Sequence, residues 1–240
     1  MARPVETVRH SVDTNRHSVE TKMERKFKSA MQLVDGLEKG LLLVTEAKDT
    51  KESDPVELLE SVGAILYGDF TLAHGAKSDY YIDSKQLTLD PKGARFVATE
   101  LVRKLEEEDI RWVGGTAYSA IPIVSHICLL SGMGATKPIS AFYNRKESKG
   151  HGRDQLAEGK IPPKGVRVAI VEDVVTSGHS LLDAIERAEL QGCNVTNAIV
   201  LVDRNEGGRE EVEKKGYKFW ALFTVCRTAE GKVHFRYNGV

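Results

Sequence analysis

Several features that would each point to a particular class of protein are scarce or missing in this sequence. Only three cysteines occur in 240 residues, at Cys128, Cys193 and Cys226, and no two have the spacing of a metal site or a disulfide scaffold. No apolar run approaches the roughly 20 residues that a membrane-spanning helix requires. The first residues, MARPVETVRHSVDT, lack the apolar core of a signal peptide. We therefore predict a reduced, cytoplasmic protein that is neither exported nor embedded in a membrane.

An excess of charge of one sign is also lacking. The 34 Lys and Arg residues are balanced by 35 Asp and Glu residues, which gives a formal net charge of −1. Long-range attraction to nucleic acid or to an anionic membrane requires a basic surplus that this chain does not have. Nucleic acid is thus not an expected partner, and any anion must be bound by a local concentration of positive charge.

Residues 1–50 differ in composition from the rest of the chain. They contain a near-duplicated heptad, RHSVDTN at 9–15 followed by RHSVETK at 16–22, and few large apolar side chains before Phe27. We interpret residues 1–52 as an N-terminal extension that is disordered or partly helical. The alternative is an amphipathic helix over about 21–43 that docks on a partner subunit, because apolar residues recur there at helical spacing. No clear helix-turn-helix pattern supports a DNA-binding role.

From residue 53 onward, helix and strand patterns alternate. SDPVELLESVGAILYG begins with a capping residue and a proline, which predicts a helix that ends at Gly68. FTLAHGAKSDYYIDSKQLTL has turn residues at His74–Lys77 and an alternating pattern around Tyr80–Asp83, which predicts a β-hairpin-like unit. A helix is expected over Pro91–Glu107, and strands over RWVGG, PISAFY, VRVAIVED and NAIVLVD. Strands that each lead into a helix or loop predict an α/β domain over 53–240 with a doubly wound, mostly parallel sheet.

The most informative segment is VRVAIVEDVVTSGHSLLDAIERAELQG. An apolar strand ends in Glu172–Asp173, and the turn Thr176–Ser180 leads into a helix over 181–190. Backbone N–H groups, hydroxyls and the helix dipole at such a turn favour a phosphate. Two carboxylates would repel a phosphate, so they should face hydroxyl groups or a metal ion. A ribose 5-phosphate satisfies both requirements, because its phosphate would occupy the turn and its hydroxyls would face the two acids. The alternative is an ordinary capped helix that follows a solvated strand end. The glycine patterns of Walker and Rossmann nucleotide-binding motifs are absent from this segment.

A second candidate for function lies in AFYNRKESKGHGRDQLAEG, after the strand that ends at Phe142. Between Arg145 and Arg153 there are four basic residues and one acid, together with His151 and two glycines. Charge runs are usually solvated surface loops. A glycine-hinged basic loop is also what a reaction that expels pyrophosphate requires, because positive charge must reach the leaving group and water must be excluded.

The order of apolar strand, two acids, TSG turn and helix resembles the phosphoribosyl-diphosphate motif of the type I phosphoribosyltransferases. The loop pattern R-K-x-x-K-x-H-G looks like that of orotate phosphoribosyltransferases in particular, and the resemblance extends from about Ser53 to Thr224. GDFTLAHGAKSDYYIDSKQLTLDPKG resembles the family's hood over the base, GGTAYSAIP its pyrophosphate-binding loop, and LVDRNEGG the segment whose arginine holds the orotate carboxylate. The resemblance implies a hood at about 53–90 and a core at about 91–225.

The function implied by the resemblance is transfer of the phosphoribosyl group of phosphoribosyl diphosphate to orotate, which gives orotidine 5-phosphate and pyrophosphate in de novo UMP biosynthesis. Mg²⁺ with few protein ligands, and a homodimer whose loop reaches the partner's site, are implied as well. The implied catalytic residues are Lys149, His151 and Asp173. Those implied for phosphoribosyl diphosphate are Arg145, Lys146, Lys149, His151, Glu172, Asp173, Val174, Val175, Thr176, Ser177, Gly178, His179, Ser180 and Tyr118. Those implied for orotate are Tyr81, Thr176 and Arg204.

Two positions depart from the family pattern, and two alternatives stay open. Many members carry lysine where this sequence has Ala73 and Ser119. The alternatives are a phosphoribosyltransferase for another nucleobase and a non-catalytic sensor of phosphoribosyl diphosphate. Arg204 argues against the first, and the complete set of loop cations argues against the second. A fused orotidine decarboxylase is not expected, because these 240 residues leave no room for one.

Overall fold

Apolar strands in the second half of the chain form a sheet that amphipathic helices cover on both faces. The structure is a computed structural model that describes residues 54–71, 75, 77–133, 137–145 and 157–239. The strands in these ranges are β1 (Ile65–Thr71), β2 (Lys77–Ile82), β3 (Trp112–Thr116), β4 (Ser140–Asn144), β5 (Ala157–Gly159), β6 (Arg167–Val175), β7 (Asn194–Asp203), β8 (Lys218–Arg227) and β9 (Val233–Tyr237). The helices are α1 (Pro55–Ser61), α2 (Ser84–Thr88), α3 (Pro91–Glu107), α4 (Ala120–Gly132), α5 (His179–Leu190) and α6 (Gly208–Lys214). The extension predicted for 1–52 lies outside the described residues.

The main sheet has seven strands in the order β5–β4–β3–β6–β7–β8–β9. Strands β4, β3, β6, β7 and β8 run parallel, whereas β5 and β9 pair antiparallel at the two edges. The direction of winding reverses at β3, because β4 lies on one side of it and β6 on the other. Ligands of open α/β sheets bind at such a switch point, outside the carboxyl ends of the strands. The prediction of a doubly wound, mostly parallel sheet is confirmed.

The central strand β6 separates two layers of the core. Val171 belongs to one apolar cluster with residues of α3 and α4, whereas Ile170 belongs to a second cluster with residues of α5. Each buried branched side chain of this kind stabilises the fold by about 1.5–3 kcal/mol. Successive side chains of a strand point to opposite faces. Glu172 and Asp173, at the end of the same strand, therefore point into different layers.

The N-terminal part of the described chain corrects one prediction. The helix that we expected to end at Gly68 ends at Ser61, and Gly63 follows it with a φ of 73°. A left-handed glycine directly after a helix ends it, because the chain leaves the helical path there. Ile65–Thr71, assigned to that helix by its apolar spacing, is strand β1 and pairs antiparallel with β2. Cross-strand pairing outweighs local helical spacing in this segment. The predicted hairpin is present, but its last residues, Ser84–Thr88, form helix α2.

Helix α3 has the predicted bounds, and its start explains why. Asp90 accepts hydrogen bonds from the backbone N–H groups of Lys92 and Gly93, and Pro91 occupies the first turn. A capping carboxylate and a proline at the first helical position are both strong helix-start signals. No helix in the described ranges combines the length and the apolarity needed to cross a bilayer.

Candidate active site

The turn between β6 and α5 leaves the start of a helix without a side-chain cap. Gly178, the residue before α5, has a φ of 82°, a conformation that glycine adopts without steric cost. Helices α1, α2 and α3 are each capped by an aspartate side chain, whereas no described side chain caps α5. Ser177 Oγ and His179 Nδ1 lie 2.8 Å apart beside these free N–H groups. The turn can therefore bind an anion through its backbone and hydroxyl donors.

A second glycine lies behind this turn. A Cβ atom on Gly208 would lie 2.6 Å from the carbonyl oxygen of Thr176, and one on Gly178 would lie 3.0 Å from the carbonyl oxygen of Gly208. Neither position has room for a side chain, so the start of α6 packs directly on the backbone of the turn. Sequence reasoning gave Gly208 no role of its own. The adjacent glycines that end LVDRNEGG were the available signal.

Glu172 is buried at the switch point, with 5% of its surface exposed. Its Oε1 accepts a hydrogen bond of 2.7 Å from Thr116 Oγ1 at the end of β3, and Ser119 Oγ lies 3.5 Å from the same oxygen. Oε2 is buried and has no hydrogen-bond partner of normal geometry in the described part of the chain. The pKa of Glu172 is raised to about 7 because burial and, to a smaller extent, the charge of Asp173 outweigh the Thr116 hydroxyl, which lowers it. This acid is therefore balanced between its two protonation states near neutral pH.

Asp173 faces the other layer. Its Oδ2 accepts a hydrogen bond of 2.5 Å from Ser84 Oγ, at the start of α2 and directly after the hairpin. The two acids of the motif thus have different surroundings, Glu172 against β3 and α5 and Asp173 against α2. Sequence reasoning found both acids but had no means of finding Ser84.

Arg204 follows β7 and reaches the hairpin. Its Nε donates to Glu206 Oε1 at 3.0 Å, and its Nη2 lies 3.4 Å from Ser78 Oγ. The guanidinium carbon lies 4.6 Å from the centre of the Tyr80 ring, within the range of a cation–π interaction. Only 8% of Arg204 is exposed. A buried guanidinium held at one edge by Glu206 presents its fork in a defined orientation, as recognition of a planar carboxylate requires.

The two tyrosines that sequence reasoning selected are both exposed. Tyr81 lies on the face of β2 opposite to Tyr80, and its ring centre is 5.7 Å from that of Phe70. Tyr118 lies in the loop between β3 and α4, where the Ala117–Tyr118 peptide bond is cis. The contact of Tyr81 with orotate and that of Tyr118 with phosphoribosyl diphosphate stay predictions. Tyr80, which was not selected, is the tyrosine that contacts Arg204.

An ion pair joins the first residue of the basic loop, Arg145, to Glu158 of strand β5, which follows the loop. Arg145 Nη1 lies 2.5 Å from Glu158 Oε1, and Tyr143 donates a hydrogen bond of 2.6 Å to the other oxygen of Glu158. These contacts span the antiparallel pairing of β4 with β5. Three predicted cations, Lys146, Lys149 and His151, lie outside the described residues, as does Ala73.

The described part of the site bears on how a metal ion could be held there. No group of three or more His, Cys, Asp or Glu side chains that could hold a metal ion occurs in the portion of the chain that the structure describes. Glu172 and Asp173 point apart, and hydroxyl groups hold each of them. Such residues fit Mg²⁺ that is bound mainly through oxygen atoms of a substrate, which is how this ion commonly binds beside phosphates.

Comparison with known proteins agrees with the geometry. The phosphoribosyl transferase domain family matches residues 91–224, more than half of the chain. The fold and the turn after β6 therefore define a phosphoribosyltransferase.

Relatives narrow this class further. The orotate phosphoribosyltransferase of Nostoc is 40% identical over 171 residues, which cover 70% of this chain and 82% of the relative. That of Aquifex aeolicus is 41% identical over 156 residues, covering 65% of this chain and 84% of the relative. The Mycobacterium tuberculosis orotate phosphoribosyltransferase in complex with 5-phospho-alpha-D-ribosyl 1-diphosphate matches with a TM-score of 0.58 at 29% identity, over 70% of this chain and 94% of that one. The chain belongs to the orotate phosphoribosyltransferase family, and the predictions of family, fold class and enzyme class are confirmed.

Proposed function

We propose that this chain transfers the phosphoribosyl group of phosphoribosyl diphosphate to N1 of orotate, forming orotidine 5-phosphate and pyrophosphate in de novo UMP synthesis. The observation that carries this proposal is the buried guanidinium of Arg204 beside the switch point, where an acceptor with a carboxylate can be bound. The sequence identity to orotate phosphoribosyltransferases supports the same acceptor.

The donor is bound by the segment Val174–Ser180. Thr176, Ser177, Gly178, His179 and Ser180 surround the 5-phosphate with backbone N–H and hydroxyl donors at the uncapped start of α5. Glu172 and Asp173 accept hydrogen bonds from the ribose hydroxyls. Their negative charge also lies near the anomeric carbon, which becomes positive as the bond to pyrophosphate breaks. A cation-like transition state of this kind needs positioning and charge stabilisation, and no covalent nucleophile.

The leaving group requires positive charge. Arg145, Lys146, Lys149 and His151 neutralise pyrophosphate as it departs, and Tyr118 contacts the same part of the donor. Mg²⁺ would be held beside Glu172 and Asp173 mainly by the substrate, and it would supply further positive charge for the leaving group. For Arg145 to take this part, its guanidinium must leave Glu158, with which it pairs in the structure.

The acceptor is held by Arg204, with Thr176 and Tyr81 as further contacts to the base. The Tyr80 ring and Glu206 fix the guanidinium plane, so the fork can donate two parallel hydrogen bonds to the orotate carboxylate. A nucleobase without a carboxylate would leave this fork without an acceptor.

We also propose a homodimer in which the loop of one subunit reaches the partner's site, in a reducing, cytoplasmic setting. Exposed apolar side chains near the end of α4, such as Leu129 and Met133, support an interface between subunits. Cys128, Cys193 and Cys226 are all free thiols, which supports a reducing compartment.

The proposed function is tested by following orotate absorbance with phosphoribosyl diphosphate and Mg²⁺, and again with each omitted. We expect orotate to disappear only when all three are present. Competition by uracil and by purine bases identifies the acceptor. Conversion of one of these bases in place of orotate would establish the other-nucleobase alternative. Binding of phosphoribosyl diphosphate without any turnover would establish the sensor.

Lys149→Ala should lower kcat by roughly a hundredfold, the usual cost of removing one donor that stabilises developing charge. Its effect on the thermal unfolding midpoint should be small, because single charges in a basic loop contribute little to folding. Lys215→Ala, a change of the same type at the exposed residue directly after α6, is the matched control and should retain full turnover. Steady-state kinetics and thermal unfolding of both variants provide the measurement. Wild-type turnover in Lys149→Ala would remove the lysine from the mechanism.

Gly208→Ala should displace the phosphate turn, because the new methyl group would overlap the carbonyl of Thr176. We expect a loss of about 1–3 kcal/mol in unfolding free energy and a KM for phosphoribosyl diphosphate raised by about tenfold or more. Gly132→Ala is the control, since a methyl group there meets nothing within 4 Å. Urea denaturation and initial-rate kinetics measure the two effects. An unchanged KM in Gly208→Ala would show that the turn tolerates the displacement.

A further inference from the structure

Thr116 joins the two strands of the switch point through its side chain. It is the last residue of β3, it is 9% exposed, and its hydroxyl contacts Glu172 on the neighbouring strand β6. Ligands bind where these two strand ends diverge. The contact therefore lies where the donor ribose is bound under the proposed function, on which this inference rests.

The direction of the hydrogen bonds follows from the single hydrogen that each hydroxyl carries. An ionised carboxylate only accepts, so Thr116 must donate its hydrogen to Glu172 Oε1, at 2.7 Å. Ser119 Oγ lies 3.2 Å from Thr116 Oγ1 and 3.5 Å from Glu172 Oε1, so its one hydrogen is directed to either of these two oxygens. Two hydroxyls are thus grouped at one oxygen of Glu172, and that of Thr116 makes the shorter contact.

The other oxygen of Glu172 differs from Oε1, because no described residue contacts it with the geometry of a hydrogen bond. Oε2 is buried and makes no hydrogen bond of normal geometry to any described residue. A buried carboxylate oxygen without a donor is costly, and such orphans usually mark a missing ligand or a functional role. We propose that Thr116 is a positioning residue for the donor: its hydroxyl holds Oε1 of Glu172, which leaves Oε2 as the acceptor for a ribose hydroxyl.

The hydroxyl of Thr116 also favours the ionised form of Glu172. Burial raises the pKa of this carboxyl to about 7 even though the hydrogen bond from Thr116 lowers it. The groups that act on Glu172 are hydroxyls from β3, the loop after it and α5 (Thr116, Ser119 and Ser180), together with the charge of Asp173 on its own strand. Removal of the Thr116 hydroxyl raises the folded-state pKa further. Ionised Glu172, and donor binding with it, is then lost at a higher pH.

Thr116→Val, Thr116→Ser and Thr196→Val test this role. Valine keeps the shape of threonine without the hydroxyl, and serine keeps the hydroxyl. Thr196, near the amino end of β7, has a buried hydroxyl oxygen that makes no hydrogen bond to any residue in the described ranges, so Thr196→Val is a matched control away from the site. The measurements are kcat and KM for phosphoribosyl diphosphate on both sides of pH 7, and its dissociation constant by calorimetry.

In Thr116→Val we expect kcat/KM for phosphoribosyl diphosphate to fall by roughly tenfold to a hundredfold at neutral pH, mainly through KM. The acid limb of its pH profile should move to higher pH. Thr116→Ser should restore both quantities, and Thr196→Val should match the wild type. Equal losses in the valine and serine variants, or an unmoved acid limb in Thr116→Val, would overturn the positioning role. If Thr116→Val does not fold, Ser119→Ala must move the acid limb in the same direction, and an unmoved limb there overturns the role.

The proposed function can fail separately from this inference. Wild-type protein without orotate-dependent turnover contradicts the function. The calorimetric dissociation constants of the same variants still measure whether Thr116 positions the donor site. A wild-type enzyme that turns over orotate, with Thr116→Val kinetically identical to it, contradicts only the inference.

Discussion

Arg204→Lys should raise the KM for orotate by about a hundredfold and leave the KM for phosphoribosyl diphosphate unchanged. Lysine keeps the positive charge, so the change removes the geometry of the fork and not the charge itself. A single ammonium cannot donate two parallel hydrogen bonds to a carboxylate. The loss should therefore fall on the acceptor alone.

The surroundings of Arg204 make this prediction specific. Nε is engaged by Glu206, and the guanidinium plane lies against the Tyr80 ring. A lysine ammonium can reach Glu206 or the substrate but cannot contact both in one plane. The buried position also means that little water is available to replace the missing donors.

Arg209→Lys is a matched control for Arg204→Lys. Arg209 Nε pairs with Asp203 at 3.2 Å, and its guanidinium carbon lies 4.6 Å from the centre of the Phe219 ring. Both substitutions therefore remove an arginine that pairs with an acid and stacks on an aromatic ring. Initial-rate kinetics with each substrate varied, together with thermal unfolding, should show comparable losses of stability and a raised orotate KM in Arg204→Lys only. A similar orotate KM in the two variants would mean that Arg204 does not hold the acceptor.

Asp173→Asn should lower kcat/KM for phosphoribosyl diphosphate by about a hundredfold, a typical cost of removing one electrostatic contact to a transition state. Asparagine keeps an oxygen that can accept the hydrogen bond from Ser84, so the local packing is preserved. The change removes the negative charge that faces the developing cation. It also replaces a double acceptor for the ribose hydroxyls with a group that has only one acceptor oxygen.

Steady-state kinetics and calorimetric binding of phosphoribosyl diphosphate separate these two effects. A fall in kcat reports the lost charge, and a weaker dissociation constant reports the lost acceptor. Asp183→Asn, the same substitution at an exposed position of α5, is the control and should behave as the wild type. Unchanged kinetics in Asp173→Asn would contradict the ribose role of this carboxylate.

Sequence reasoning succeeded where chemistry and structure are local. The bounds of α3 were predicted correctly, and the structure shows Asp90 and Pro91 at its start. The segment from β6 to α5 was recognised because the strand, the acids, the turn and the helix follow one another along the chain. It failed for Ile65–Thr71, whose apolar spacing suits a helix but whose strand partner lies across the hairpin. It also found no role for Thr116, Ser84 or Tyr80, because single residues of these common types carry no pattern.

The amino-acid sequence by itself determined the class of the fold, the strand–turn–helix order from β6 to α5, the position of two acids at its start, and the family. Only the tertiary structure decided how these parts meet. It pointed Glu172 and Asp173 to opposite faces, and it brought Thr116 to Glu172 across 56 positions, Ser84 to Asp173 across 89, and Ser78 to Arg204 across 126. The physical reason is that contacts between residues far apart in the chain depend on strand order and on which face a side chain takes. Both are settled by packing of the whole core.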